Sequence, residues 1–377
     1  MAITVCFSAN TFYYPTGGGH MWVYINWALG LKASGCEIIW LEGVHCELGA
    51  DHFNKHFVQL KEKLDFFGLS NQIAFWVISG DPAIIASVPG FMVVDEAASR
   101  SDILLNQFHN MRSEVVSKFK KTALLDIDPG LTQIWMTNGD INVAPHDIYF
   151  TIGETVGKEN AKFPDAGIDW NYIPPCILID EWPVTKAADT APFTTISHWS
   201  SREWVVNNKE VFLNDKKSGF MPYIEIPLQF SRSFELATWM GEGEENDKEM
   251  LERSNWIIRD SQTLTSTPEK YRHYIQSSWG EFSAVKPSCV ILQNAWISDR
   301  SLCYLASGKP VIVQNTGPSS FLPDAAGLFR FNDFGEAVLC IEDCERNYEH
   351  HCKFARSLVE EYFDAKKVTK LLLEKCL

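Results

Sequence analysis

The 377-residue sequence lacks three patterns that would point to particular classes of protein. No uninterrupted apolar run approaches the roughly 18–20 residues of a membrane-spanning helix. No basic segment precedes an apolar run at the N-terminus, so no secretory leader is predicted. The ten cysteines include no Cys-x-x-Cys pair, so neither a disulfide framework nor a zinc or redox motif of that kind is indicated. We therefore expect a cytoplasmic protein with no membrane span.

Basic charge is also scarce. Lys and Arg number 33 against 48 Asp and Glu, which gives a formal net charge of −15. Nucleic-acid-binding surfaces are normally basic, so the balance disfavours a nucleic-acid partner. What the chain has in quantity is apolar residues, at 46%, of which aromatic residues are a substantial part. This is enough for two packed domains, since domains usually span about 100–200 residues. The sequence says nothing about oligomeric state.

The N-terminal half alternates strand-like and helix-like segments. A strand predicted at 3–9 is followed by a helix predicted at 21–35, and a second helix repeats apolar residues every three or four positions. Those apolar positions are Phe53, Phe57, Leu60, Leu64 and Phe67. Strand–helix alternation of this kind predicts a parallel, doubly wound α/β sheet.

A segment rich in proline and small residues, 173–193, interrupts the alternation, which then resumes. This predicts a first domain at 1–185 and a second at 186–355. The residues that follow, 356–377, predict a C-terminal helix that could cross back to the first domain. The Lys- and Asn-rich segment 205–220 is predicted to be a loop.

The segment 278–331 is the most informative part of the chain. A helix predicted at 298–308 leads into a strand at 309–314 and then into a polar turn at 315–320. The turn after the carboxyl end of a strand is where open parallel sheets bind ligands. Just upstream, Thr267 is expected to cap a helix that begins at Pro268.

A glycine-rich loop follows the first predicted strand. Gly17, Gly18 and Gly19 would let backbone N–H groups approach an anion, although neither a Walker A loop nor a Gly-x-Gly-x-x-Gly fingerprint is present. His20 comes next, and a neutral imidazole there suits a general base for a hydroxyl. A helix-capping or phosphate-contacting histidine is the alternative.

Two aspartates end another predicted strand of the first domain. Asp126 and Asp128 precede Pro129 and Gly130, which force a turn. A carboxylate at this strand end could orient His20, act as the base itself or hold an acceptor hydroxyl. Capping of the turn by Asp128 is the alternative, and a metal site is disfavoured. Glu154 has a similar location.

The chain resembles the GT-B glycosyltransferases. The phrase ASGKPVI followed by a small-residue turn recurs in that family, and the segments LLDIDPGLTQIW, HDIYFTIGETVG and FTTISHW are similar to a bacterial-type branch of it. The resemblance implies two Rossmann-like domains facing a cleft, in a nucleotide-sugar-dependent enzyme. The first domain would bind an acceptor, either a small molecule or a saccharide. The second would bind the nucleotide-sugar, with no other cofactor and no metal.

The resemblance also implies roles for particular residues. His20 and Asp128 would be catalytic, and Gly17, Gly18, Gly19, Asp126 and Glu154 would bind substrate. Negative charge grows on a diphosphate leaving group, so cations and helix N-termini should surround it. The donor site would comprise Glu281, Lys286, Asp299, Arg300, Ser301, Asn315, Thr316, Gly317 and Ser319.

The sequence departs from the family pattern at one point. Many retaining members carry two glutamates before ASGKPVI, and alignment on Gly308 places Ala295 and Cys303 there. Retaining or inverting stereochemistry therefore stays open. Two other functions also remain open. One is a sugar-nucleotide epimerase or hydrolase, and the other is a non-catalytic nucleotide-sugar-binding protein.

Overall fold

Two parallel β-sheets organise the protein. The computed structural model describes residues 2–86, 88–322 and 326–377. We call the eight-stranded sheet with its helices the first domain and the six-stranded sheet with its helices the second domain. None of the helices in these described ranges combines the length and apolarity needed to cross a bilayer.

The first domain alternates strands and helices along the chain. Its elements are β1 (Thr4–Ala9), α1 (Gly18–Ala33), β2 (Glu37–His45), α2 (Ala50–Phe66), β3 (Ile73–Ser79), α3 (Ala83–Ala86), β4 (Met92–Val93), α4 (Val94–Arg100), β5 (Ile103–Asn106), α5 (Ser113–Val116), β6 (Thr122–Asp126), α6 (Leu131–Asn138), β7 (Ile148–Thr151) and β8 (Trp170–Tyr172). The strand order is β4-β3-β2-β1-β5-β6-β7-β8, and all pairs are parallel. The order reverses between β1 and β5, which is where doubly wound sheets open a ligand crevice.

The second domain follows the same plan with one insertion. Its elements, with the helices that end the chain, are β9 (Phe193–His198), β10 (Trp204–Asn207), β11 (Glu210–Leu213), α7 (Lys216–Phe220), β12 (Phe234–Trp239), α8 (Glu245–Arg253), β13 (Trp256–Asp260), α9 (Ser261–Leu264), α10 (Pro268–Gln276), β14 (Gly280–Ser283), α11 (Pro287–Leu292), α12 (Asp299–Ala306), β15 (Val311–Gln314), β16 (Leu328–Phe331), α13 (Phe334–Arg346), α14 (Tyr348–Tyr362) and α15 (Ala365–Cys376). The parallel order is β13-β12-β9-β14-β15-β16, with a crevice-forming reversal between β9 and β14.

Side chains cap two helices of the second domain. The Thr267 hydroxyl accepts a hydrogen bond from the Lys270 N–H, so the predicted cap of α10 is confirmed. Ser298 caps α12 by accepting from the Arg300 N–H at 3.2 Å. After α12 the chain turns through Gly308 at φ +69°, a left-handed conformation that favours glycine, and enters β15.

The predicted loop at 205–220 is wrong. Much of it forms the antiparallel hairpin β10–β11 and the short helix α7. Val205 packs among side chains of the first domain, and Asn138 of α6 donates to the Val206 carbonyl at 2.9 Å. The hairpin therefore ties a segment of the second domain onto the first.

The last helix packs on the first domain. A Cβ at Gly30 of α1 would lie 2.8 Å from the Ala365 side chain and 2.9 Å from that of Thr369, so only a glycine allows this approach of α15. The Ser34 and Thr369 hydroxyls also meet at 2.9 Å. The boundaries 1–185, 186–355 and 356–377 stay a prediction.

Candidate active site in the cleft

The glycines after β1 serve a packing role. Gly18 and Gly19 lie inside α1, and Gly17 is its N-cap. A Cβ at Gly18 would lie 2.3 Å from the Thr267 carbonyl oxygen, and one at Gly19 would lie 2.4 Å from the Tyr271 ring. The two glycines thus let α1 touch the α9–α10 segment of the second domain. Ligand binding by the three glycines stays a prediction.

His20 faces both domains from the first turn of α1. Its Nε2 lies 2.6 Å from the Asn10 carbonyl oxygen, and its ring packs 4.6 Å from Tyr14 and 5.3 Å from Tyr24 between centroids. Burial lowers the pKa of His20. The bond to Asn10 opposes this, and His198 across the cleft lowers the pKa further. Since a carbonyl only accepts, the neutral ring carries its proton on Nε2 and its lone pair on Nδ1.

Asp126 holds the turn that follows β6. Its carboxylate accepts hydrogen bonds from one backbone group, the Asp128 N–H at 3.0 Å, and from three side chains. Those donors are Thr132 at 2.7 Å, Gln133 at 2.9 Å and Thr151 at 2.8 Å. The turn is therefore capped by Asp126 and not by Asp128, which corrects the alternative considered from the sequence. A substrate contact by Asp126 stays a prediction.

Asp128 is free to face the cleft because Asp126 takes the capping bonds. Its side chain is accessible from the cleft, and protein lies around it on both sides. This desolvation, followed by the charge of Asp126, raises the pKa of Asp128 to about 6. Lys286 opposes the shift, whereas Glu203 and Asp299 add to it, and all three belong to the second domain. Asp128 is therefore a carboxyl group whose pKa lies near neutral pH at the meeting point of the domains.

Three cations gather where β9 and β14 end. The Lys286 ammonium lies 3.0 Å from Glu203, and the Lys216 ammonium donates to the Ala284 carbonyl at 2.6 Å. Burial, followed by the charge of Arg300, lowers the pKa of Lys216 to about 7. Glu203 pairs with Lys286 and Glu281 with Arg300, so two of these three cations already have a carboxylate partner. A polyanion bound in the crevice would add its charge to these pairs.

Arg300 is held from three directions. It donates to Glu281 at 2.7 Å, to the Ile196 carbonyl at 2.9 Å and to the Ser283 hydroxyl at 2.8 Å. Three of the five N–H donors of a guanidinium are thus engaged by protein. Arg300 contributes charge and rigidity to the crevice, and its direct grip on phosphate stays a prediction.

Other predicted donor residues border Arg300. Glu281 is fully buried on β14, and Ser301 is buried in α12. Burial raises the pKa of Asp299 in the first turn of α12, and the charge of Arg300 opposes that shift. These side chains surround the amino end of α12, where the sequence placed the donor.

The turn after β15 is held largely by its own polar atoms. Asn315 accepts from the Gly317 N–H at 3.0 Å, and Thr316 donates to the Trp296 carbonyl at 2.6 Å. Gly317 has φ +129°, and a Cβ there would meet a carbonyl at 2.7 Å. Ser319 accepts from backbone N–H groups. The cavity beside this turn is about 30 Å³, room for a water and not for a sugar nucleotide, so a donor would lie in the cleft itself.

Glu154 bridges the domains. Its carboxylate accepts from the Ser320 N–H at 2.7 Å and from the Ser320 hydroxyl. Thr155 beside it donates to the Gln293 carbonyl at 3.0 Å. The structure thus places Glu154 in an interdomain contact, and its predicted substrate contact remains untested.

Sequence reasoning missed Lys216, Glu203 and His198. Lys216 and Glu203 lie in or beside the segment predicted as a loop, and His198 ends β9. A signal was available for His198, because strand ends at a reversal of strand order face the ligand. In the described ranges, no group of three or more His, Cys, Asp or Glu side chains is arranged to hold a metal ion.

No protein-family model matches the sequence, and no curated protein matches it by sequence. Solved structures do match its fold. An alpha-glucosyltransferase in complex with UDP-glucose and DNA containing an abasic site aligns with a TM-score of 0.60 at 10% identity over 100% of both chains. Anabaena Alr3699/HepE in complex with UDP and glucose aligns with a TM-score of 0.56 at 12% identity over 99% of both chains.

A glycosyltransferase from Rickettsia africae ESF-5 aligns with a TM-score of 0.56 at 14% identity, over 99% of this chain and 97% of that one. All three alignments span both sheets. The chain therefore has the GT-B fold, with two parallel-sheet α/β domains that face each other across a cleft.

Proposed function

We propose that the protein is a glycosyltransferase that moves a sugar from a nucleotide-sugar to an acceptor hydroxyl without a metal ion. The observation that carries the proposal is Asp128. Its pKa of about 6 suits a general base near neutral pH. It lies on the first domain, where an acceptor would bind, opposite the cations of the second. The printed descriptions of two structures with this fold name UDP or UDP-glucose as their ligand, which supports a nucleotide-sugar donor.

The second domain would hold the donor diphosphate. Lys216 and Lys286 lie near each other at the crevice that Arg300 stiffens. When the sugar–oxygen bond breaks, its electron pair goes to the diphosphate, and these cations stabilise the charge that develops. In metal-independent transfer, ammonium groups would stabilise the charge on the leaving diphosphate, which a divalent cation stabilises in metal-dependent enzymes.

The first domain would activate the acceptor. The acceptor oxygen forms a bond to the anomeric carbon while its proton passes to the Asp128 carboxylate. Tyr24 packs against the His20 ring and also interacts electrostatically with Asp128. We infer from this shared neighbour that His20 and Asp128 lie near each other. We assign the base to Asp128 and give the His20 Nδ1 lone pair the role of accepting a second hydroxyl proton of the acceptor as a hydrogen bond.

The acceptor proposed is a saccharide or small polyol. A net charge of −15 opposes the phosphate contacts that dominate nucleic-acid affinity. The description of one structure with this fold names DNA, but that statement concerns that protein. A small acceptor fits the carboxylates and the histidine of the first-domain edge better than a phosphate backbone does.

The test is a donor screen on the intact chain. The melting temperature is measured with UDP, GDP, dTDP, ADP and CMP, and turnover of UDP-glucose and other common nucleotide-sugars is followed with and without EDTA. A ligand that binds the folded form raises the melting temperature. We expect one nucleotide to give a shift that is lost in Lys286→Met. Lys217→Met is the matched control, because Lys217 pairs with Asp247 at 2.8 Å.

Three results would contradict the proposed sugar transfer, and a fourth would contradict only its independence of a metal ion. Absence of any shift at millimolar nucleotide would remove the donor site. Binding without turnover would favour a non-catalytic binding protein. If every acceptor tested leaves the sugar untransferred, release of free sugar would favour a hydrolase and isomerisation of the nucleotide-sugar would favour an epimerase. Loss of activity in EDTA would remove the metal-independent part alone.

A further inference from the structure

The segment 293–295, which follows α11 in the second domain, has a strained backbone. Gln293 and Ala295 each have φ +53°, in the left-handed region that glycine enters without steric cost. They are two of the five non-glycine residues with positive φ in the described ranges, and only Asn294 separates them. Strained backbone of this kind persists where its surroundings hold it, so the contacts of the segment must fix it in place.

Three contacts join this part of the chain to the first domain. Leu292, at the end of α11, is fully buried in a cluster made mostly of first-domain side chains. The Gln293 carbonyl accepts from the Thr155 hydroxyl at 3.0 Å. The Asn294 side-chain amide donates to the Pro129 carbonyl at 2.8 Å. The second domain is therefore docked on the first-domain turns that follow β6 and β7.

The bond from Asn294 is made next to the candidate base. Pro129 shares a peptide bond with Asp128, so the carbonyl that Asn294 holds lies one residue from it. Asn294 is buried, and its amide oxygen accepts from the Trp296 N–H at 3.2 Å, so both ends of the amide are engaged. From its own domain the turn is held at the Asp128 N–H, which donates to Asp126 at 3.0 Å. The turn that carries Asp128 is thus held by both domains.

The segment 293–295 also contacts the turn after β15. The Ala295 N–H donates to the Thr316 carbonyl at 2.9 Å. Gly317 lies so near that a Cβ there would be 2.7 Å from the Gln293 carbonyl oxygen. The segment therefore connects the turn beside the donor crevice with the turn that carries Asp128.

We propose that Asn294 is a positioning residue that places Asp128 from the donor domain. This inference rests on the proposed glycosyltransferase function and adds a requirement to it, namely that the base is placed only while the two domains are docked. A general base must lie within hydrogen-bond reach of the hydroxyl that it deprotonates. Sugar transfer is thereby confined to the docked arrangement, in which the cleft shields the donor from water.

The experiment compares Asn294→Ala with Asn207→Ala on the intact chain. Asn207 is the matched control, because it is also a buried second-domain asparagine and donates to a first-domain carbonyl, that of Lys162, at 2.9 Å. Lys162 lies outside the turn that carries Asp128. Asn294→Ser is a milder second variant, since its hydroxyl is one bond shorter than the amide, and it carries the measurements if Asn294→Ala does not fold.

The first measurement is the kinetics of transfer. The donor is the nucleotide-sugar that the wild type turns over, and the acceptors are methyl β-D-glucopyranoside and methyl β-D-galactopyranoside. We expect both Asn294 variants to lower kcat by about 10-fold to 100-fold, since a small misplacement of a reacting group costs this much. Nucleotide affinity, measured by calorimetry, should stay at the wild-type value. Asn207→Ala should lose stability and keep the wild-type kcat.

The second measurement needs no substrate. Asp128→Asn should raise the melting temperature of the wild type at pH 7, because the protein around Asp128 disfavours its charged form. In Asn294→Ala the turn relaxes and Asp128 gains water, so adding Asp128→Asn should raise the melting temperature less. In Asn207→Ala the rise should equal that in the wild type.

Equal rises in the wild type and in Asn294→Ala would overturn the inference, as would an unchanged kcat in Asn294→Ala. An equal loss of kcat in Asn207→Ala would overturn it too, because the effect would then be one of interdomain stability in general. Absence of sugar transfer by the wild type would be the failure of the proposed function, and the melting comparison would still decide whether Asn294 places Asp128.

Discussion

The carboxyl edges of the two sheets have the same topology and opposite chemistry. The first-domain edge carries Asp128, whose pKa is raised, and His20, whose pKa is lowered. The second-domain edge carries Lys216, Lys286 and Arg300. Proton transfer needs a group that changes charge near neutral pH, whereas anion binding needs cations. One fold thus supplies two different sites at equivalent positions.

The largest expected effect comes from removing the base at the first edge. Asp128→Asn should lower kcat for transfer by about 10²–10⁴-fold, the range that general-base catalysis supplies. Steady-state kinetics at saturating donor measure it. Asp140→Asn, at an exposed position after α6, is the control and should change nothing.

Nucleotide affinity in Asp128→Asn should be unchanged. A variant that loses donor binding as well would show that the two edges do not divide the work as proposed. Equal activity in Asp128→Asn and wild type would move the base to His20.

Substitutions at the second-domain edge should weaken nucleotide binding and leave proton transfer unchanged. Lys216→Met and Lys286→Met should each weaken binding of the donor nucleotide by about 10-fold or more, because hydrogen bonds to charged groups are worth about 1.5–3 kcal/mol. Calorimetric titration measures it. Wild-type affinity should also fall as pH rises above about 7, since Lys216 has a pKa of about 7 and loses its charge there. A pH-independent affinity would remove Lys216 from the donor site.

The contact that brings the edges together can be tested separately. Gly18→Ala places a methyl group 2.3 Å from the Thr267 carbonyl oxygen, and overpacking of this kind costs about 1–3 kcal/mol of unfolding free energy. Denaturant unfolding measures the loss. Gly335→Ala in α13 is the control. Its Cβ would lie no closer than 3.4 Å to a neighbouring side chain, so it should be neutral or slightly stabilising. Equal stability of the two variants would mean that the domains move apart at no cost.

The smallest effect is in the pH dependence. Below pH 6 the wild-type kcat/KM should fall about tenfold per pH unit as Asp128 takes up its proton, and Asp128→Asn should lack this limb.

The Asp128 carboxyl group also makes the stability of the folded protein depend on pH. Because the pKa of Asp128 is raised on folding, the folded state binds the proton more tightly than the unfolded state between about pH 4 and 6. Stability is therefore lost as pH rises through this window. Asp128→Asn should melt above wild type at pH 7 and equal it below about pH 4. A lower melting temperature at pH 7 would contradict the raised pKa.

Much of the fold could be predicted from local pattern. Strand–helix alternation indicated both parallel sheets, and the position of Asp128 at a strand end placed it on the cleft. The β10–β11 hairpin was missed because its strands are four residues each and its turn, at Asn208, lacks the Asn-Gly signal of tight hairpins. The role of Gly18 depends on Thr267, far along the chain, and no local pattern reports such a contact.

The site was harder to predict than the fold for the same reason. Lys216 gains its shifted pKa only because burial and Arg300, which lies on a helix much further along the chain, act on it together. From the sequence, Asp128 was the alternative cap of the turn and Asp126 a substrate contact, yet in the folded protein four donors engage Asp126. Which of two similar residues is free is settled by neighbours that only the tertiary structure brings together.

The packing of α15 against α1 has a consequence for synthesis on the ribosome. The first domain contains most of the early residues, and domains usually fold as they emerge. Val368 and Leu372 nevertheless belong to the same core as Trp22 and Phe7. The early part of the nascent chain must therefore wait, with apolar surface on α1 uncovered, until the last helix has left the exit tunnel. Completion of the first-domain core therefore depends on a helix that is synthesised after the whole second domain.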